Sequence, residues 1–257
     1  MQDHEKRDDR EVVISVEGMT ARLEGNTILE GITFKVFRGE ILFIVGRSGS
    51  GKTVLMKHMI GLFRPAEGRV LINGVDVHGA GESDWSVVRR RIGVLFQAGG
   101  LLGSMTLGDN MALPLEKRSN LPDSLKKSII RMKLGMVGLA DTEHLLPAEL
   151  SGGMKKRAGL ARAMVMDPEI LFFDEPSAGL DPVTSVGLDD TIAGINQGMD
   201  TTMVIVSHEL PSIFKIGHRM IMLDGQQKGI IADGDPRLLQ GESRDERVVN
   251  FLNRRDA

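Results

Sequence analysis

A chain of 257 residues with 41% hydrophobic content can bury a core for one large domain or two small ones, and its formal net charge of -3 gives no electrostatic case for nucleic acid as a partner. The absence of cysteine excludes disulfides, thiolate metal sites and a thiol nucleophile, and fits a reducing compartment. Aromatic residues make up only 4%, which argues against stacking platforms for single-stranded nucleic acid; the 15 Met read as adaptable core and contact filler.

In chain order, residues 1–10 are almost wholly polar, contain no apolar signal core and are predicted to be a mobile end. Short β-branched runs at 12–16, 32–36 and 69–72, with the turn signal Asn73-Gly74, predict a small antiparallel sheet. The compact apolar runs at 41–45, 92–96, 170–173 and 203–206 have the pattern of strands buried on both faces of a parallel sheet. None approaches the roughly 18 residues that cross a bilayer. Helical periodicity covers 52–60, 121–136, 153–166 and 184–198. Residues 98–165, rich in Leu, Met and Lys without strand signals, read as a helical insertion between two core strands. The fold class is therefore α/β, a core over 12–97 and 166–240 with an antiparallel β subdomain and an inserted helical subdomain. Residues 241–247 are as polar as the N-terminus and predict a second mobile stretch, followed by an apolar patch at 248–252 that either docks on its own domain or meets a partner.

Gly46-Arg47-Ser48-Gly49-Ser50-Gly51-Lys52-Thr53 matches G-x-x-x-x-G-K-[ST] directly after a buried strand and directly before a helix. Its glycines let backbone N–H groups wrap phosphates, the helix start through Val54 adds positive dipole, Lys52 reaches the outer phosphates, and the Thr53 hydroxyl suits Mg²⁺. The second landmark is the strand at 170–173 ending in Asp174-Glu175-Pro176. Two adjacent carboxylates at a buried strand's end are costly unless a cation or a reacting water uses them, so Asp174 suits the Mg²⁺ shell and Glu175 the polarising of the attacking water. Alone, such a pair could equally be a helix cap.

Leu150-Ser151-Gly152-Gly153-Met154-Lys155-Lys156-Arg157 resembles the signature sequence of ATP-binding cassette proteins, which implies a P-loop NTPase (RecA-like) core hydrolysing ATP with Mg²⁺. In that family the signature helix of one subunit points at the γ-phosphate held by the other, which maps to Ser151, Gly152 and Gly153 and implies a head-to-tail dimer. Met154 stands where the family usually has Gln. The resemblance further implies a Mg²⁺-linked sensor at Gln97, a loop crossing the dimer interface around Asp181, and a γ-phosphate contact at His208. The family's aromatic residue that stacks on adenine is missing; Arg22 or Leu23 is expected to substitute, with loose base selectivity. The other five histidines show no metal-ligand spacing, and Arg89-Arg90-Arg91 and Lys155-Lys156-Arg157 read as solvated helix faces.

The cassette resemblance covers residues 11–240. Within it, Phe96-Gln97-Ala98-Gly99-Gly100-Leu101-Leu102, Met105 to Asn110 and Ala112-Leu113-Pro114-Leu115 are similar to the ATPases paired with MCE-domain lipid transporters, the Mla type. That likeness implies membrane permease subunits, an MCE-domain protein, a small regulatory subunit in some systems, a place on the cytoplasmic face of the inner membrane, and phospholipid as cargo. It also implies a permease-binding groove in the helical insertion, lined by some of Leu101, Leu102, Met105 and Leu107 while the others pack inside. Cassettes for amino acids, lipoproteins or metals share the same motor, so cargo is the open alternative. A DNA-repair factor would need long heptads, a ribosome factor two cassettes, and a non-hydrolysing regulator would lack Glu175 or His208; none of these fits.

Overall fold

Two long strands open the chain: β1 (Val12–Leu23) and β2 (Asn26–Phe37) pair antiparallel from Leu23↔Asn26 at the turn to Val12↔Phe37. Both outrun the predicted segments because hairpin pairing carries the polar residues of 17–31 as the outward half of the alternation. With β4 (Glu67–Ile72) and β5 (Val75–Asp76) they form a four-stranded sheet in the order β2-β1-β4-β5. The computed structural model describes residues 10–118 and 120–254; the predicted mobile N-terminus lies outside them but for its last residue.

The second sheet contains the four predicted core strands, β3 (Ile41–Gly46), β6 (Ile92–Leu95), β7 (Ile170–Asp174) and β8 (Thr202–Val206), all parallel, plus β9 (Arg219–Asp224) and β10 (Gly229–Gly234). Its order is β10-β9-β3-β8-β7-β6, with β10 antiparallel to β9. Side chains alternate between two apolar layers. Ile41, Phe43 and Val45 face one core and Leu42 and Ile44 the other; β7 divides in the same way into Leu171 and Phe173 against Ile170 and Phe172. Burial on both faces is why these runs are continuously apolar.

One layer holds the antiparallel sheet and α1 (Lys52–Met59), whose Leu55, Met56 and Met59 are buried there, with α2 (Glu82–Arg90) at its margin. The other layer is helical. Between β6 and β7 lie α3 (Leu107–Arg118), α4 (Asp123–Met136) and α5 (Gly152–Ala163), the insertion expected from the sequence. Leu107, Met111 and Leu115 of α3 and Ile130, Leu134 and Val137 along α4 recur at helical spacing and join the same core as α6 (Pro182–Met199) and α7 (Leu210–Ile216).

The stretch 241–247, expected to be mobile, is instead structured. α8 (Pro236–Glu242) and α9 (Glu246–Leu252) follow β10, each capped by an aspartate, Asp235 and Asp245, that accepts a backbone N–H of the first turn. Val248 and Leu252, an i, i+4 pair, are buried in the main core, and Arg247 pairs with Asp224 at 3.2 Å and Asp245 at 2.6 Å. Burial of two such side chains, worth about 1.5–3 kcal/mol each, outweighs the polar composition around them. The apolar patch thus docks on its own domain.

His58 is fully buried in α1, its Nδ1 donating to the Val54 carbonyl at 2.8 Å and its ring edge-on to Phe63. Burial holds its pKa below the ordinary imidazole value. The unfolded chain therefore binds a proton that the folded chain refuses, and stability present above about pH 6.5 is lost as the pH falls below it. The thermal midpoint is expected to drop between about pH 7.5 and about pH 5.5, and a foldable His58→Gln variant to show a shallower drop.

Candidate active site

The parallel strands deliver their C-terminal ends to one edge. β3 pairs with β8 through Ile44↔Val206, and β8 with β7 through Asp174↔Val206, so the loops after all three strands emerge side by side. Between them opens a cavity of about 780 Å³ lined by Gly46–Gly49, Gly51–Val54, Gln97, Glu175 and His208, with Ile28, Leu210, Phe251 and Arg254 around them.

The loop from β3 to α1 takes its shape from positions that tolerate no side chain. At Gly51, the residue preceding α1, φ is +94° and a Cβ would press on Leu29; at Gly46, φ is +148° and a Cβ would meet the Leu223 carbonyl. Because Gly51 supplies no side-chain cap, the first N–H groups of α1 point unpaired into the cavity, an anion site by geometry and dipole. Lys52 Nζ curls back to the carbonyls of Gly46 at 2.9 Å and Arg47 at 3.1 Å. Its burial lowers its pKa, while the charges of Glu175 and Asp174 oppose that effect. The Ser50 hydroxyl is buried without a partner.

Thr53 Oγ1 donates to Asp174 Oδ1 at 3.0 Å, joining the two oxygens that the sequence assigned to a cation, with Gln97 on the same cavity wall. Hard oxygen donors of this kind suit Mg²⁺. Among the described residues no group of three or more His, Asp or Glu side chains is assembled to hold a metal ion, so a cation here would need oxygens from its ligand or water.

Glu175 sits in the left-handed region at φ 49°, fixed by its N–H to the Val206 carbonyl at 2.9 Å. His208 Nδ1 lies 3.0 Å from both carboxylate oxygens, hydrogen-bonded to Oε1, while the buried Oε2 has no hydrogen bond of its own. A carboxylate held from one side by an imidazole is arranged to accept a proton or orient a water.

Ser151, Gly152, Gly153 and Asp181 do not line this cavity. Ser151 caps α5 by accepting from the Met154 N–H, leaving an exposed helix start; Asp181 caps α6 through the Val183 and Thr184 N–H groups. Asp181 is held below the usual carboxylate range chiefly by its bond from the Thr184 hydroxyl. Arg22 is paired with Glu67 at 2.9 Å, and neither Arg22 nor Leu23 reaches the cavity wall, where Ile28 stands instead.

Three contributions lie outside the sequence reading. Phe251 and Arg254 bring the C-terminal segment to the cavity, signalled only by the apolar patch at 248–252. Lys156, expected on a solvated face, is buried: its Nζ donates to the Gln97 carbonyl at 2.6 Å and to the Glu175 carbonyl at 3.2 Å, an arrangement no spacing rule reveals. Arg157 likewise leaves the solvated face and donates to the Val137 and Gly138 carbonyls.

Residues 29–178 match the family model described as ABC transporter. The chain is 41% identical over 245 residues to the probable ribonucleotide transport ATP-binding protein mkl of Mycobacterium leprae, covering 95% of this chain and 70% of that one. It is 40% identical over 227 residues to the intermembrane phospholipid transport system ATP-binding protein MlaF of Escherichia coli, covering 88% and 83%. A dimeric ATP-binding cassette solved in a post-hydrolysis state with ADP and Pi superimposes with a TM-score of 0.77 at 25% identity, over 86% of this chain and 98% of that one. The chain belongs to the ABC transporter family and carries that family's ATP-hydrolysing cassette.

The position of Glu175 yields a direct test. Glu175→Gln is expected to keep nucleotide binding while slowing turnover at least about a hundredfold, the scale of removing a positioned base or water-orienting group. Near-normal turnover in a steady-state phosphate-release assay would remove Glu175 from that role.

Proposed function

We propose that this chain is the motor subunit of a phospholipid transporter, working as a head-to-tail dimer beneath permease subunits and together with an MCE-domain protein at the cytoplasmic face of the inner membrane. The observation that carries the dimer is the separation of the α5 start from the phosphate cavity: Ser151 and Gly152 are exposed and absent from its wall. A second copy, turned head to tail, brings that exposed helix start to the phosphates and closes the site against bulk water, keeping only the attacking one.

In this reading the backbone of Gly46–Val54 and Lys52 bind the phosphates of ATP. Glu175, oriented by His208, holds the attacking water and takes up its proton. Thr53, Asp174 and Gln97 would hold Mg²⁺, which supplies charge stabilisation to the phosphate oxygens when bound. With Ile28, Val54, Leu210 and Phe251 as the apolar residues beside the polar phosphate loop, the phosphates rather than the base give most of the affinity.

The power stroke leaves through a groove beside the Gln97 loop. A cavity of about 430 Å³ is bounded there by Ile92, Val94, Phe96, Leu102, Leu113 and Pro114, with Lys117 and Arg162 at its side and with Phe96 and Leu102 exposed. Of the four residues expected to divide between core and groove, Leu107 is buried, Leu101 and Met105 are half-buried, and Leu102 faces out. Asn110, fully buried, fixes this wall: its side chain accepts from the Leu102 N–H and donates to the Leu102, Met105 and Thr106 carbonyls. An apolar helix of the permease fits such a groove. Among the described residues no helix is long and apolar enough to cross a membrane.

Phospholipid as cargo is supported by the likeness to MlaF over most of the chain and by the 96–115 segment. The similarly close mkl relative, whose name specifies ribonucleotides, sets the competing outcome. Reconstituted with its permease, the wild-type protein is expected to move phospholipid between vesicles with ATP, whereas Leu102→Glu should keep hydrolysis and lose lipid movement. Ser151→Arg should bind ATP but not hydrolyse it. Ribonucleotide uptake without lipid transfer would overturn the cargo assignment and leave the motor standing.

A further inference from the structure

A lysine ammonium buried beside two hydrolytic loops is costly unless its N–H groups are used. Lys156, 7% exposed, uses two of them on main-chain carbonyls 59 and 19 residues away in sequence, those of Gln97 and Glu175. Gly159, one turn further along the same face of α5, has no Cβ to collide with the Gly99 carbonyl and so lets the 97–100 loop lie directly against the helix. The Glu175 carbonyl also accepts the Ala178 N–H at 3.2 Å. Two bonds on that oxygen and one on the Glu175 N–H hold a left-handed residue that would otherwise relax.

We propose that Lys156 is a positioning residue for ATP hydrolysis, a strut that locks both the Gln97 loop and the Glu175 backbone to the signature helix α5. This rests on the assignment of Glu175 as the water-orienting carboxylate. Because α5 also presents Ser151 at its exposed end, the strut makes the signature helix and its own subunit's hydrolytic loop one rigid body. Lys156 does not line the phosphate cavity; it acts on turnover through Glu175 and leaves the phosphate-binding loop as it is.

The test compares steady-state ATP hydrolysis and equilibrium ATP binding for full-length wild type, Lys156→Met, Lys156→Arg and Glu175→Gln. Methionine keeps the apolar stem and removes the donors, whereas a guanidinium can still bridge two carbonyls. Lys156→Met is expected to lower kcat at least about tenfold with KM and the ATP Kd within about threefold, and Lys156→Arg to recover at least about half of wild-type kcat. A kcat for Lys156→Met within about twofold of wild type, a parallel loss of ATP binding, or an arginine variant no better than methionine would each overturn the proposal. If Lys156→Met does not fold, Lys156→Gln decides on the same split between kcat and KM, its shorter amide giving a partial loss of kcat. Glu175→Gln separates the two levels: if it is slow while Lys156→Met is normal, the strut fails alone, and if it turns over normally, the assignment of Glu175 fails first.

Discussion

The register of β3, β8 and β7 is the constraint on which the rest of the molecule depends. Ile44, Val206 and Asp174 lie abreast in that register, so the phosphate loop, Ser207-His208 and Asp174-Glu175 leave the sheet at one edge. A slip of one residue in β7 would exchange Phe172 and Phe173 between the two apolar layers and turn Asp174 away from Thr53. Burial on both faces makes that slip prohibitively costly. Hydrophobic packing, which carries no chemistry of its own, thereby fixes a 3.0 Å contact between residues 121 positions apart.

Upon that edge the fold places groups in conformations they would not keep alone. Glu175 is left-handed, Gly46 and Gly51 have backbones closed to other residues, and Lys52 and Lys156 are cations with backbone carbonyls for company. Each is held by neighbours that belong to different elements, so the strain is spread over β3, β7, β8 and α5. Helix α5 is the common member. Its N-terminal end is exposed and capped by Ser151, while its middle grips the loops of its own cavity.

Much of this was readable from the sequence because the signals were local. Continuous apolar runs named the parallel strands, the glycine pattern between a strand and a helix named the phosphate loop, and the insertion followed from missing strand signals between 98 and 165. What stayed hidden depends on contacts between distant segments. β9 begins with Arg219, a poor sign for a buried strand until Asp233 and Glu40 are seen beside it. The tail at 241–247 looks mobile by composition, yet Val248 and Leu252 anchor it. Lys156 looks solvated within a basic run, and only the fold shows its carbonyl partners. The family's spacing before the glycine loop pointed to Arg22 and Leu23, whereas Ile28 of β2 is the residue of that hairpin on the cavity wall.

The central claim is that one subunit's phosphate loop becomes competent only against the other subunit's α5 start, and mixing two dead variants tests it most directly. Lys52→Ala retains a sound signature and Ser151→Arg a sound phosphate loop, so a mixed dimer rebuilds one complete site from the two. Each variant alone is predicted to be inactive in ATP hydrolysis, and their mixture to regain turnover that rises with the fraction of mixed dimers. A mixture as inactive as its components, or full turnover by Ser151→Arg alone, would contradict the account.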